Sequence, residues 1–146
     1  MDRKSILLFA SFMVLSLALH TGVLNASTDT GEPIIIANPK VAATSLTRDE
    51  LKNIFLGIKT KWGDGNPITF VILKDKTIHN TFLEKYIDYT PSKFSKYWRG
   101  LIFSGKGSCP RTLNDTNEAL QFVAETDGAI AYVLSVNENV KPIKIK

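Results

Sequence analysis

Ile68-Thr69-Phe70-Val71-Ile72-Leu73, then Lys74-Asp75-Lys76-Thr77, then apolar residues at Ile78, Phe82, Leu83, Tyr86 and Ile87, is a strand running into a helix. The first six residues are largely β-branched or aromatic and apolar enough for burial on both faces, as in a sheet covered by helices. From Ile78 the apolar positions recur at helical spacing. Asp75 or Thr77 is the expected N-cap, because a short side-chain oxygen accepts an amide proton that the first helical turn leaves unpaired.

Upstream, Pro33-Ile34-Ile35-Ile36-Ala37-Asn38 repeats the strand pattern and stops at Asn38-Pro39. Thr47 and Glu50 then make a capping box, with Asp49 adding negative charge to the first helical turn. Leu51, Ile54, Phe55 and Ile58 are expected on the buried side of that helix, with Gly57 as its C-terminal stop. Thr60 to Pro67 is dense in turn residues.

Downstream, Thr90 is a cap and Pro91 takes the first helical position, where its missing N–H costs nothing. Phe94, Tyr97, Trp98, Leu101 and Ile102 form the apolar stripe of this helix and read as core, as does Trp62. A loop from Phe103 to Pro110 contains Ser104-Gly105-Lys106-Gly107-Ser108. A helix over roughly Asn117 to Glu125 buries Leu120, Val123 and Ala124, and Thr126-Asp127-Gly128 turns the chain into the strand Ala129 to Leu134. Val140 to Ile145 alternates apolar residues with Lys and holds Pro142, the pattern of an edge strand. Strands alternating with helices predict a three-layer α/β sandwich, a single domain over residues 33–146 preceded by a polar leader at 27–32.

The first 26 residues read differently. Met1-Asp2-Arg3-Lys4 is short and net basic, Ile6 to Leu19 is apolar, and His20 to Ala26 is more polar and ends on a small residue. That is the layout of a cleavable signal peptide, so residues 1–26 are expected to be removed and the protein to be periplasmic. With 146 residues, 44% of them hydrophobic and 22% charged, the chain is of the globular class, and disordered or disulfide-stapled classes do not fit. Its single cysteine, Cys109, cannot form an internal disulfide and is expected to pack as a small hydrophobe. The formal net charge of +4 comes without any long Lys/Arg run, which excludes nucleic acid as the expected partner and favours small anions.

Leu46-Thr47-Arg48-Asp49-Glu50-Leu51, with Ile54-Phe55-Leu56-Gly57 and then Lys61-Trp62, resembles a hallmark stretch of the substrate-binding proteins of phosphate ABC transporters. Asp127-Gly128-Ala129-Ile130-Ala131-Tyr132-Val133 resembles a second stretch of the same family. Phe82, Tyr97-Trp98, Phe103-x-Gly105-Lys106 and Pro110 add to the likeness, which runs from about Ile34 to Val133. The resemblance implies a single lobe of the periplasmic-binding-protein-like (type II) fold, an α/β sandwich. It also implies phosphate or a similar small oxyanion as ligand, and an inner-membrane transporter or sensor component as partner.

In that family the anion meets an arginine and a Ser-Gly-Thr sequence at a helix N-terminus, where free amides and the helix dipole favour negative charge. Here Lys76-Thr77-Ile78 stands in place of Ser-Gly-Thr, and Ile72 in place of the arginine. The candidate anion site is therefore of another design: Lys74, Lys76, Thr77 and His79 around the helix start, with Ser45 before another helix and Lys106 and Arg111 facing the same cleft. A helix terminus stabilises an anion by roughly 0.3–2 kcal/mol and a charge-assisted hydrogen bond by about 1.5–3 kcal/mol. Immobilising the ligand costs about 4–15 kcal/mol, so one open lobe is expected to bind weakly. The alternative is a secreted accessory or sensory domain that kept the fold and lost the ligand.

No catalytic residues, metal site or cofactor is expected. His79 is the one histidine downstream of the signal, no GxSxG elbow occurs, and no pair of carboxylates is marked as acid and base. The chain is read as a binding protein, not an enzyme.

Overall fold

A computed structural model describes residues 31–146. The signal peptide expected at residues 1–26, and most of the polar leader, lie outside the described residues. Strands β1 (Ile34–Ala37), β3 (Thr69–Leu73), β4 (Arg111–Leu113), β5 (Ala129–Val133) and β6 (Lys141–Pro142) form one sheet in the order β4-β3-β5-β1-β6. Strands β4, β3 and β5 run parallel, while β1 is antiparallel to both of its neighbours, β5 and β6. A second sheet pairs β2 (Ser45–Leu46) with β7 (Lys144–Ile145) in parallel.

The helices are α1 (Arg48–Phe55), α2 (Lys76–Phe82), α3 (Pro91–Phe103) and α4 (Thr116–Glu125). Each begins as its sequence dictates. The Thr47–Glu50 capping box closes both ways at α1, Asp75 caps α2, Thr90 caps α3 with Pro91 in the first turn, and Asp115 caps α4. Helix α2 widens into a π-helical turn at Leu83–Ile87, which ends on Asp88 in the left-handed conformation.

Two faces of the sheet are covered. On one, Phe55 of α1, Phe82 of α2 and Trp98 of α3 close over Phe70 and Tyr132, whose rings lie 3.9–5.9 Å from their neighbours'. On the other, the small Ala129 and Ala131 let α4 approach, and the Arg111 guanidinium lies 4.6 Å over the Phe122 ring of that helix. Every residue of β5 is buried, as a central strand between two helical layers requires. This is the three-layer α/β sandwich that the alternating pattern predicts.

Several local expectations are corrected. Ile58 is 64% exposed, because α1 ends at Phe55 and Gly57 turns the chain with φ +70° before the helical stripe can reach it. Ile102 is 41% exposed at the last turn of α3, and Ala124 is only half-buried. Cys109 is exposed rather than packed, since the α3–β4 loop runs over the surface. The segment Val140–Ile145 does form an edge, but divided into β6 on the main sheet and β7 on the small one, with Ile143 buried between them. Trp62 and Trp98 are core, each donating its indole N–H to a carbonyl, of Gly128 and Phe55 respectively.

Candidate functional site

Open α/β sheets present ligands at the carboxyl ends of their parallel strands. At this end β3 delivers Lys74, Asp75, Lys76 and Thr77, β4 delivers Asn114 and Asp115, and β5 delivers Leu134 and Ser135. The Lys74 N–H bonds to the Leu113 carbonyl at 2.8 Å, which ties the β3 exit to the β4 exit. Lys74, Lys76 and Thr77 are exposed, and the ammonium groups of both lysines carry no partner among the described residues.

The start of α2 is not an open ring of amides. Asp75 Oδ1 accepts the Thr77 N–H at 2.9 Å, so a carboxylate of the chain already sits where an incoming anion would dock. The neighbouring start of α4 is closed in the same way: Asp115 accepts from Glu118 N–H at 3.0 Å, and Glu118 accepts from Asn114 N–H at 2.6 Å. Two lysines and one hydroxyl remain for a ligand, beside one carboxylate.

His79 lies one turn into α2 and faces inward. Its Nδ1 is 2.6 Å from the Tyr132 hydroxyl, which also accepts the Leu73 N–H at 2.9 Å. An imidazole protonated on Nε2 would accept the phenol proton at Nδ1, and one protonated on Nδ1 would donate to the phenol oxygen. Burial pushes the His79 pKa below its ordinary value and the Tyr132 phenol above its own. The pair ties α2 to β5 beside the end of β3, and His79 is half-buried there.

The remaining three candidates lie elsewhere. Ser45 pairs with Lys144 in the small sheet. Lys106 and Arg111 line a shallow cleft at the opposite, amino-terminal end of the parallel strands, together with Gly57, Thr69, Trp98 and Cys109. Sequence reasoning missed a cleft of about 910 Å³ at the carboxyl end of β5, lined by Arg48, Lys85, Tyr86, Ser135 and several isoleucines. Glu32 holds Lys85 at 2.6 Å and raises its pKa, whereas the Arg48 guanidinium is unpaired among the described residues. Its walls come from distant parts of the chain, so no local motif announces it. No group of residues able to hold a metal ion occurs among the described residues. Nor is any described helix long and apolar enough to cross a membrane.

No family model matches the sequence, and no curated protein matches it either. Solved structures do match. One is assigned as a phosphate ABC transporter substrate-binding protein, from Clostridium perfringens with phosphate bound: TM-score 0.62, 17% identity, covering 78% of this chain and 44% of the other. An ABC-type phosphate transport receptor from Vibrio cholerae gives 0.58, 18%, 78% and 46%, and PstS from Borrelia burgdorferi gives 0.51, 14%, 79% and 47%. The chain thus spans less than half the length of each of these proteins. At such identities the likeness concerns architecture alone: the chain has the fold of a single lobe of phosphate ABC transporter substrate-binding proteins, that is, the periplasmic-binding-protein-like α/β fold.

Proposed function

We propose that this lobe is a non-catalytic, periplasmic solute-binding-like module that contacts phosphate or a similar small oxyanion weakly at the β3–α2 junction. The observation that carries this reading is the placement of Lys74, Lys76 and Thr77 together at the carboxyl end of a parallel strand, with both ammonium groups unpaired. The fold supports it, because the structural neighbours are named for phosphate binding and transport. His79 serves by holding the junction through Tyr132. Ser45, Lys106 and Arg111 lie too far around the fold to belong to the same contact. In transport, the partner would be an inner-membrane transporter or sensor component.

Two charge-assisted hydrogen bonds and one neutral one give about 3.5–7.5 kcal/mol against an immobilisation cost of at least about 4 kcal/mol, with the Asp75 carboxylate opposing. Affinity is therefore millimolar or weaker, since 1 mM corresponds to about 4.1 kcal/mol net. The carboxylate caps at Asp75 and Asp115 favour a second reading, an accessory interaction domain that keeps the fold without a ligand. Calorimetric titration with phosphate and with sulfate separates the two. Heat that is lost in Lys76→Ala and Thr77→Ala supports the anion site. Heat unchanged by both substitutions refutes the assignment, and no heat from either anion supports the accessory domain.

A further inference from the structure

Between Asp88 and Asp115 the chain carries five cations, Lys93, Lys96, Arg99, Lys106 and Arg111, and no carboxylate. In sequence these look scattered. The fold gathers the first four on α3 and the loop that follows it, all of them exposed, while Arg111 opens β4 and lies over Phe122 of α4. Helix α3 buries Phe94 and Trp98 against the core. At 100° per residue, Lys96, Arg99 and Phe103 fall on the opposite side, spaced i, i+3 and i+7. Phe103 is 89% exposed at the end of this side, and Ile102 beside it is 41% exposed. The side chains of Lys96, Arg99 and Lys106 have no ion pair or hydrogen bond among the described residues.

We propose that the Lys96–Arg99–Phe103 face of α3, with Lys106 in the turn after it, docks on an anionic phospholipid surface, with Phe103 entering the headgroup region. Unpaired cations around a protruding aromatic side chain are the chemistry of an interfacial amphipathic helix, here held on a folded lobe. The shape selects the bilayer over an acidic protein. This face is convex, with a phenyl ring standing out in water. A protein interface of useful affinity would bury that ring in a matching pocket within a well-packed surface. A bilayer deforms around it. Each Lys or Arg held near an anionic membrane contributes a factor of about five in affinity, and half-burying a Phe contributes about tenfold.

The test uses the full chain and a local readout, so that attachment through any other segment is not mistaken for docking of this face. Phe103→Trp introduces an exposed indole into a protein whose own Trp62 and Trp98 are buried. Its emission is followed with vesicles carrying brominated acyl chains, made of phosphatidylcholine alone or mixed with phosphatidylglycerol. Quenching is expected with the mixed vesicles, little with the neutral ones, and loss of the signal at high salt. Adding Lys96→Glu and Arg99→Glu, exposed positions that leave the fold intact by circular dichroism, is expected to weaken the apparent affinity by at least about 30-fold. In flotation with the mixed vesicles, Phe103→Ala is expected to weaken the charge-dependent part about tenfold. No quenching with anionic vesicles overturns the proposal, as does equal quenching with both vesicle types. Tighter binding to polyglutamate or duplex DNA than to vesicles at the same salt reassigns the face and also overturns it.

Discussion

Replacing Tyr132 by Phe removes one oxygen atom from the interior and leaves the ring where it is, stacked 3.9 Å from Phe82. The lost hydroxyl has two partners. The Leu73 amide donates to it at 2.9 Å between residues that are both buried, and no water can replace it there. An orphaned buried amide costs about 1–3 kcal/mol. The His79 nitrogen loses its partner as well, but His79 is only half-buried, so solvent recovers part of that bond and the loss there is about 0.5–1 kcal/mol. Relief from desolvating the phenol offsets a fraction, which leaves about 2–3 kcal/mol against a domain stability of about 5–15 kcal/mol. Urea unfolding followed by tryptophan emission reads this directly: with m of about 1–3 kcal/mol/M, the midpoint falls by about 0.7–3 M at unchanged m. As a control, Tyr86→Phe removes a hydroxyl bonded at 3.2 Å to the Pro33 carbonyl in a half-buried place, and costs no more than about 1 kcal/mol. If Tyr132→Phe shifts the midpoint by less than about 0.3 M, the buried link between β3, β5 and α2 is not what holds this corner.

Gly128→Ala is the harshest single-atom change available: φ is +74° and the added Cβ lies 2.2 Å from the Pro67 backbone oxygen. Strain and overpacking together cost about 3–5 kcal/mol, checked by the loss of unfolding midpoint or of soluble yield. Burial depresses the His79 pKa, so between that lowered value and about 6.5 the unfolded chain binds a proton that the native protein does not. Stability is therefore full above about pH 6.5 and falls as the pH drops below it, and a pH series of urea melts on wild type and His79→Gln shows this slope only where the imidazole is present. Native protein exposes Cys109, and Ellman's reagent titrates one thiol per chain without denaturant, at the rate of an unprotected thiol.

Elements governed by local chemistry were legible before the structure. Thr47 with Glu50, Thr90 with Pro91, and Asp75 each announce a helix start through atoms within a few residues, and the short apolar runs at 34–37, 69–73 and 129–133 announce central strands. What escaped the sequence depends on distant partners. Three residues of β4 become a strand only because β3 accepts them in register, and β2 exists only through β7. Ile58 belongs to the apolar period on paper, yet the positive φ at Gly57 breaks the helix before the period completes. At the candidate site, Lys74, Lys76 and Thr77 were readable as a helix start. That Asp75 would occupy its amides was implicit in the expectation of Asp75 as cap, and its cost to an incoming anion emerges only with the 2.9 Å contact. The inward turn of His79 could not be read, since its partner lies 53 residues away. The cationic side of α3 escaped because charge was weighed over the chain and not over one helical surface.

The reversed strand β1 also decides when this protein can fold. Both of its sheet neighbours, β5 at 129–133 and β6 at 141–142, leave the ribosome about a hundred residues after β1 itself. Until they arrive, Ile35 and Ile36 have no edge to join, and the sheet stays open while the intervening residues are made. Closure across so long a separation is slow. A newly made molecule thus has an interval in which it is still threadable through a narrow pore, and equally one in which its apolar strands are vulnerable to sticking to one another.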